Sequence, residues 1–151
     1  MPIFFLLLSE YYCFIIRQMV EWNDKFSVGI SVIDEEHKKI IEILSKAISA
    51  KEHDAKPEEL REVLREMTNY ALKHFKTEED YMKEFNYTDY QSHREEHRAF
   101  FAETIAYHDK VIEGDCQIAN EIIEYLKWWL VNHIQVTDKK YVACFNEHGL
   151  K

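Results

Sequence analysis

His74-Phe75-Lys76-Thr77-Glu78 and His93-Arg94-Glu95-Glu96-His97 are the two stretches on which the reading of this chain turns. In each, two metal-ligand side chains stand four residues apart, which on a helix puts both on one face. Working outward from the first, an apolar stripe runs through Leu60, Val63, Leu64, Met67, Tyr70, Ala71, His74, Glu78, Tyr81 and Phe85. That spacing predicts a helix from Pro57, a favourable first-turn residue, to about Phe85. The second stretch opens another stripe, His93, His97, Phe100, Phe101, Thr104, Ile105, Val111 and Ile112, which predicts a helix from about Tyr90 to Glu113.

Two more stripes flank these. Ile33, His37, Ile40, Ile41, Leu44, Ala47 and Ile48 predict a helix over about Asp34 to Ala50. Ala119, Ile122, Ile123, Leu126, Trp129, Leu130, His133 and Ile134 predict the fourth, with Gly114 as a stop before it and Asp115 as its N-cap. A short terminal helix is expected after Thr137. Short connections favour antiparallel neighbours, so the expected fold class is all-α, an up-down-up-down four-helix bundle.

In such a bundle the polar residues of the stripes share one end. His37 and His93-His97 lie near the starts of helices one and three, while His74-Glu78 and His133 lie near the ends of two and four. Burying five imidazoles and a carboxylate unpaired would cost roughly 1–3 kcal/mol for each unsatisfied group. A bound metal removes that cost by taking the nitrogen lone pairs. Asp138 would supply a further oxygen, but it lies five residues after His133. On a continuous α-helix that offset turns it about 140° away. Asp138 therefore joins the site only if the helix ends or tightens around residues 135–137, where Val136 and Thr137 are both β-branched. His108, His53 and His148 stand apart from the cluster.

Composition bounds the rest. The 151 residues fit one domain, with 46% hydrophobic and 31% charged residues. A net charge of −9 leaves no basic face for nucleic acid. Cys13, Cys116 and Cys144 show no paired spacing, which suggests reduced thiols and a cytoplasmic location. Residues 1–18 are apolar in two runs separated by Ser9 and Glu10, short of a spanning helix. They read as a leader or appended extension, with a peripheral membrane anchor or partner-binding segment as the alternative. Residues 19–151 read as the bundle domain, and no membrane partner is expected for it.

His37, His74-Phe75-Lys76-Thr77-Glu78, His93-Arg94-Glu95-Glu96-His97 and His133-Ile134-Gln135-Val136-Thr137-Asp138 resemble the hemerythrins, above all the single-domain bacterial and archaeal ones. The resemblance spans about Trp22 to Tyr141. It implies two non-heme irons with an oxo or hydroxo bridge, one held by His93, His97 and His133 and the other by His37 and His74. Glu78 and Asp138 would bridge them. It also implies that dioxygen binds reversibly, as a hydroperoxide, at the iron with fewer histidines. Phe75, Trp129, Leu130 and Ile134 match positions that line the family's oxygen pocket, and Trp22 and Tyr141 would close the ligand end. The implied function is an oxygen carrier, store or delivery protein, with dioxygen as ligand and a protein that receives oxygen as a further partner. An enzyme is not expected. The alternatives are an oxygen or redox sensor and a diiron enzyme handling peroxide or nitric oxide. A ferritin-like oxidase would need Glu-x-x-His motifs, and no histidine here has a Glu three residues before it.

Overall fold

A computed structural model describes residues 21–53, 56–112 and 118–151. The expectations for residues 1–18, Gly114, Asp115, Cys116 and the side chain of Ala119 lie outside the described residues. Four long helices dominate the described chain: α1 (Ser31–Glu52), α2 (Pro57–Glu84), α3 (Tyr90–Ile112) and α4 (Ile118–Trp129). Each packs on its sequence neighbour, and α4 closes the ring against α1. The all-helical bundle expected from the stripes is what forms. No helix among the described residues is long and apolar enough to cross a membrane.

The stripes explain the packing. Ile40, Ile41, Leu44, Leu64, Met67, Ile122 and Leu126 are all buried in one continuous core. A second apolar cluster, with Val28, Ile30, Ile33, Met82, Tyr141 and Phe145, seals the end that carries the histidines. On α3 the expected stripe needs a correction. Ile105 is 46% exposed and Ile112 57% exposed, whereas Tyr107 is buried. The inward line is His93, His97, Phe100, Thr104, Tyr107 and Val111, which keeps a period close to 3.6. Ile105 follows Thr104 directly and is turned about 100° off that line.

Entry into α1 is set by Asp34. Its carboxylate accepts from the Ser27 hydroxyl at 2.6 Å and the Val28 amide at 2.7 Å. The chain between them turns through Gly29 at φ 70°, a left-handed conformation that glycine adopts without strain. This turn brings the Phe26 carbonyl over the first turns of α1.

The largest departure from expectation follows α4. Helical winding neither ends nor tightens there; it widens into a π-helix over Leu130–Thr137. The Asp138 amide donates to the His133 carbonyl, a five-residue step. Wider winding brings residues five apart back to nearly the same face, so Asp138 joins His133 without a break. Tightening comes only afterwards, in a 3-10 turn over Asp138–Tyr141, before the short terminal helix α5 (Val142–Glu147). A π-segment is costly in hydrogen-bond geometry and is found mostly where a site requires it.

Candidate metal centre

Seven side chains from α1, α2, α3, the π-segment and the 3-10 turn meet at one end of the bundle, each at most 3% exposed. They form two groups with a shared member: Glu78, His93, His97 and His133, and His37, His74, Glu78 and Asp138. Within each group the potential ligand atoms lie within 4.8 Å of one another. The two carboxylates stand between the groups. Glu78 turns Oε1 toward His74 Nε2 at 3.6 Å, and Oε2 toward His97 and His93 at 3.1 and 3.5 Å. Asp138 turns Oδ2 toward His37 at 3.2 Å, and Oδ1 toward His133 and His93 at 3.1 and 3.3 Å. Each carboxylate thus presents one oxygen to each half.

Four of the imidazoles are gripped from behind through Nδ1. His37 meets the Phe26 carbonyl at 3.2 Å. His74 meets Glu36 at 3.1 Å, His97 meets Glu79 at 3.0 Å, and His133 meets Glu96 at 2.8 Å. These partners are carbonyl or carboxylate oxygens, so Nδ1 carries the proton and Nε2 points inward with a lone pair available to a metal. The grip passes round the bundle. Glu36 on α1 holds a histidine of α2, Glu79 on α2 holds one of α3, and Glu96 on α3 holds one beyond α4. Each of these glutamates is the chain neighbour of an inner residue: His37, Glu78 and His97 respectively. Thr77 braces Glu36 at 3.0 Å and Arg94 approaches Glu79 at 3.6 Å.

The electrostatics of this end are self-compensating. Burial pulls the His133 imidazole down, but Asp138 and Glu96 outweigh it and push the group up to about 10. Burial likewise opposes the charged forms of His37 and His97, and Asp138 and Glu78 respectively still hold them raised. Burial favours neutral Glu78 and Asp138, yet the surrounding histidines keep both carboxyls below their usual range. Burial and the Glu78 charge push the Tyr141 phenol well above its ordinary value, so its O–H stays a donor, to Glu78 Oε1 at 2.5 Å.

These residues fit a metal pair. Six buried atoms have no hydrogen-bond partner among the described residues: Nε2 of His37, His74 and His93, Oε2 of Glu78, and both Asp138 oxygens. All six belong to the two groups, and an unsatisfied buried polar atom is expensive. A cation would satisfy them together, displacing the protons that the histidines otherwise hold.

The four residues expected to line a pocket are all buried, at most 5% exposed. Phe75 stacks on His97 with ring centres 3.8 Å apart, and Trp129 stacks on His133 at 4.4 Å. Both therefore back the three-histidine half, although Phe75 also lies 5.8 Å from His74. Leu130 and Ile134 complete the same apolar cluster. Trp22 is half-buried, packs on the core and carries Lys38 over its ring at 5.3 Å. His53, His108 and His148 lie outside both groups.

Glu36, Glu79 and Glu96 were missed in the sequence, although each had a signal. A glutamate directly beside an inward ligand sits at the helix–helix seam, within reach of the next helix.

Comparison with known proteins agrees with this geometry. The family model described as the hemerythrin HHE cation-binding domain matches residues 28–145. A bacteriohemerythrin of Clostridium acetobutylicum is 30% identical over 128 residues, covering 82% of this chain and 99% of its own. One from Pseudomonas paraeruginosa is 35% identical over 124 residues, covering 80% of this chain and 78% of its own. Among solved structures, wild-type hemerythrin superposes with a TM-score of 0.72 at 27% identity, covering 82% of this chain and 95% of that one. With four inward-facing stripes, a ring of histidines and two shared carboxylates at one bundle end, this chain belongs to the hemerythrin family.

Proposed function

We propose that this chain binds dioxygen reversibly at a pair of non-heme irons and serves as an oxygen carrier, store or delivery protein. The observation that carries the reading is the placement of Glu78 and Asp138, each with one oxygen toward each half. His93, His97 and His133 would hold one iron, and His37 and His74 the other. Mixed imidazole and carboxylate donors suit non-heme iron, whereas a structural zinc takes about four ligands. When bound, the pair supplies reversible two-electron transfer to dioxygen.

The chain's own residues do the rest. Two histidines against three make the halves unequal, so the His37–His74 half is the one left with room for a ligand. The rings of Phe75 and Trp129, with Leu130 and Ile134, exclude water from the centre, which disfavours separation of charge. Tyr141 fixes Glu78 from the far side, and the outer glutamates fix the ring planes. The acidic chain and its cysteine pattern suit a cytoplasmic protein, and a second protein receiving oxygen belongs to the same reading.

The test is the absorption spectrum of the reduced, iron-loaded chain before oxygen, after oxygen, and after oxygen is removed. A visible band that appears and then disappears supports the proposal. Oxidation that does not reverse, with turnover of an added substrate, overturns it in favour of an enzyme.

A further inference from the structure

Against the outer side of the metal end, where His97, Glu79 and Phe75 reach the surface, the described residues form a groove of about 730 Å³ along the seam of α2 and α3. Its size is that of a small-molecule site. Each helix contributes six lining residues at the offsets 0, 3, 4, 7, 8 and 11, from Leu72 to Lys83 on α2 and from Arg94 to Ile105 on α3. The helices are antiparallel, so Leu72 lies at the Ile105 end and Lys83 at the Arg94 end. Eleven residues of rise make the groove about 16 Å long.

That register sorts the chemistry by position. One end is apolar, built from Leu72, Phe75, Phe101, Ala102 and Ile105. Leu72 is 47% exposed and Ile105 46% exposed, unusual for large aliphatic side chains on the seam of two helices. The other end and the middle carry Lys83, Arg94, Lys76 and Arg98 against Glu79 and Asp80. Four cations against two anions make a positive locale on a chain of net charge −9. Lys76 pairs with Asp80, Arg94 approaches Glu79 at 3.6 Å and Arg98 pairs with Glu95 at 2.7 Å, all three cations at exposed or half-exposed positions, whereas Lys83 has no ion pair among the described residues. Arg98 is more than half exposed and reaches out to Glu95, and the Lys83 ammonium rests over the Tyr90 ring at 5.4 Å.

We propose that this groove binds an amphipathic monoanion, a long-chain carboxylate with its alkyl tail along Leu72, Phe101 and Ile105 and its head between Lys83, Arg94 and Arg98. Charge complementarity selects an anion over a neutral or cationic amphiphile. The length of about 16 Å selects an extended chain of about twelve carbons. Phe75 forms part of the floor and stacks on His97, so the occupant lies against the outer wall of the metal end.

The experiment is calorimetric titration of the full chain with dodecanoate below its micelle concentration, beside acetate and dodecyltrimethylammonium. One dodecanoate per chain is expected, with no measurable acetate binding and at least tenfold weaker binding of the cationic amphiphile. Ile105→Asp, and separately Lys83→Glu with Arg98→Glu, should each weaken dodecanoate at least tenfold while the melting curve is kept; all these side chains are exposed, so folding is spared. Equal binding of the cationic amphiphile, several dodecanoates per chain, or variants that bind like the parent would overturn the proposal. So would a parent that binds no dodecanoate and sediments as an oligomer that Ile105→Asp disperses, which would give the groove to a second copy of the chain.

Discussion

The two halves of the metal end differ less in their donors than in what stands behind them. His97 and His133 are backed by flat aromatic rings, Phe75 and Trp129, and by glutamates from neighbouring helices. His37 and His74 meet edge to face, with ring centres 4.8 Å apart, and are backed by a main-chain carbonyl and by Glu36. The three-histidine half is therefore walled on its flat faces, and the two-histidine half is held mainly at its edges. Burial does not separate the halves, since all five imidazoles are at most 3% exposed; what differs is the kind of backing each ring receives. Among the described residues, Glu78 and Asp138 are the carboxylates that turn one oxygen toward each half.

The largest expected effect comes from breaking what the halves share. Asp138→Ala should lose nearly all bound metal rather than half of it, because His37 and His133 lose their common counter-ligand together. Metal analysis beside a circular dichroism spectrum checks this; retention of one tightly held metal would show that the halves are independent. Sharper is a pair of single changes behind the histidines. Glu96→Ala should weaken the three-histidine half and Glu36→Ala the two-histidine half, each by about 10–100-fold in metal affinity. Competition with a chelator, followed with cobalt as a spectroscopic reporter, separates the two. Identical effects on both metals would mean that the outer glutamates act on the fold as a whole.

These outer residues mark the limit of what the sequence shows. The inward ligands are legible because a polar side chain interrupting a 3.6-residue apolar stripe is conspicuous, as at His37, His74 and His133. Glu36, Glu79 and Glu96 fall just off the stripes and read like surface glutamates until the neighbouring helix is in place. Asp138 is legible as a residue but not as a geometry. The spacing shows only that an ordinary helix fails to deliver it, and widening meets the need as well as breaking does. Ile105 misleads for the opposite reason, since an aliphatic residue next to the true stripe is indistinguishable by type from one on it.

A smaller effect is expected at the apolar wall. Leu130 is buried one turn before His133. Leu130→Ala should cost about 2–5 kcal/mol of stability. Leu130→Asn should keep its metal while the oxygenated form decays faster in air than the parent, because a polar side chain admits water. Decay of the visible band at fixed pH is the measurement, and an unchanged rate would make Leu130 ordinary core.

The smallest effect concerns protons in the metal-free chain. His133, His37 and His97 are raised in the folded state, so the stability they contribute is complete below their ordinary value of 6.5. It is lost as pH rises through the folded values, toward about 10 for His133. Glu78 and Asp138 are depressed, so their contribution is complete above 4.5 and 3.8 and is lost as pH falls through their folded values. The metal-free melting temperature should therefore be highest between these windows and fall from pH 6.5 toward 10. The metal-loaded chain should show a shallower alkaline fall, since the metal replaces the protons.

Two unequal halves that share two carboxylates should together hold two irons. Metal content of the full chain purified without oxygen, by elemental analysis against protein concentration, tests this most directly. The expected result is close to two irons per chain. A ratio near one, or zinc retained in preference to iron, would contradict a shared two-iron site.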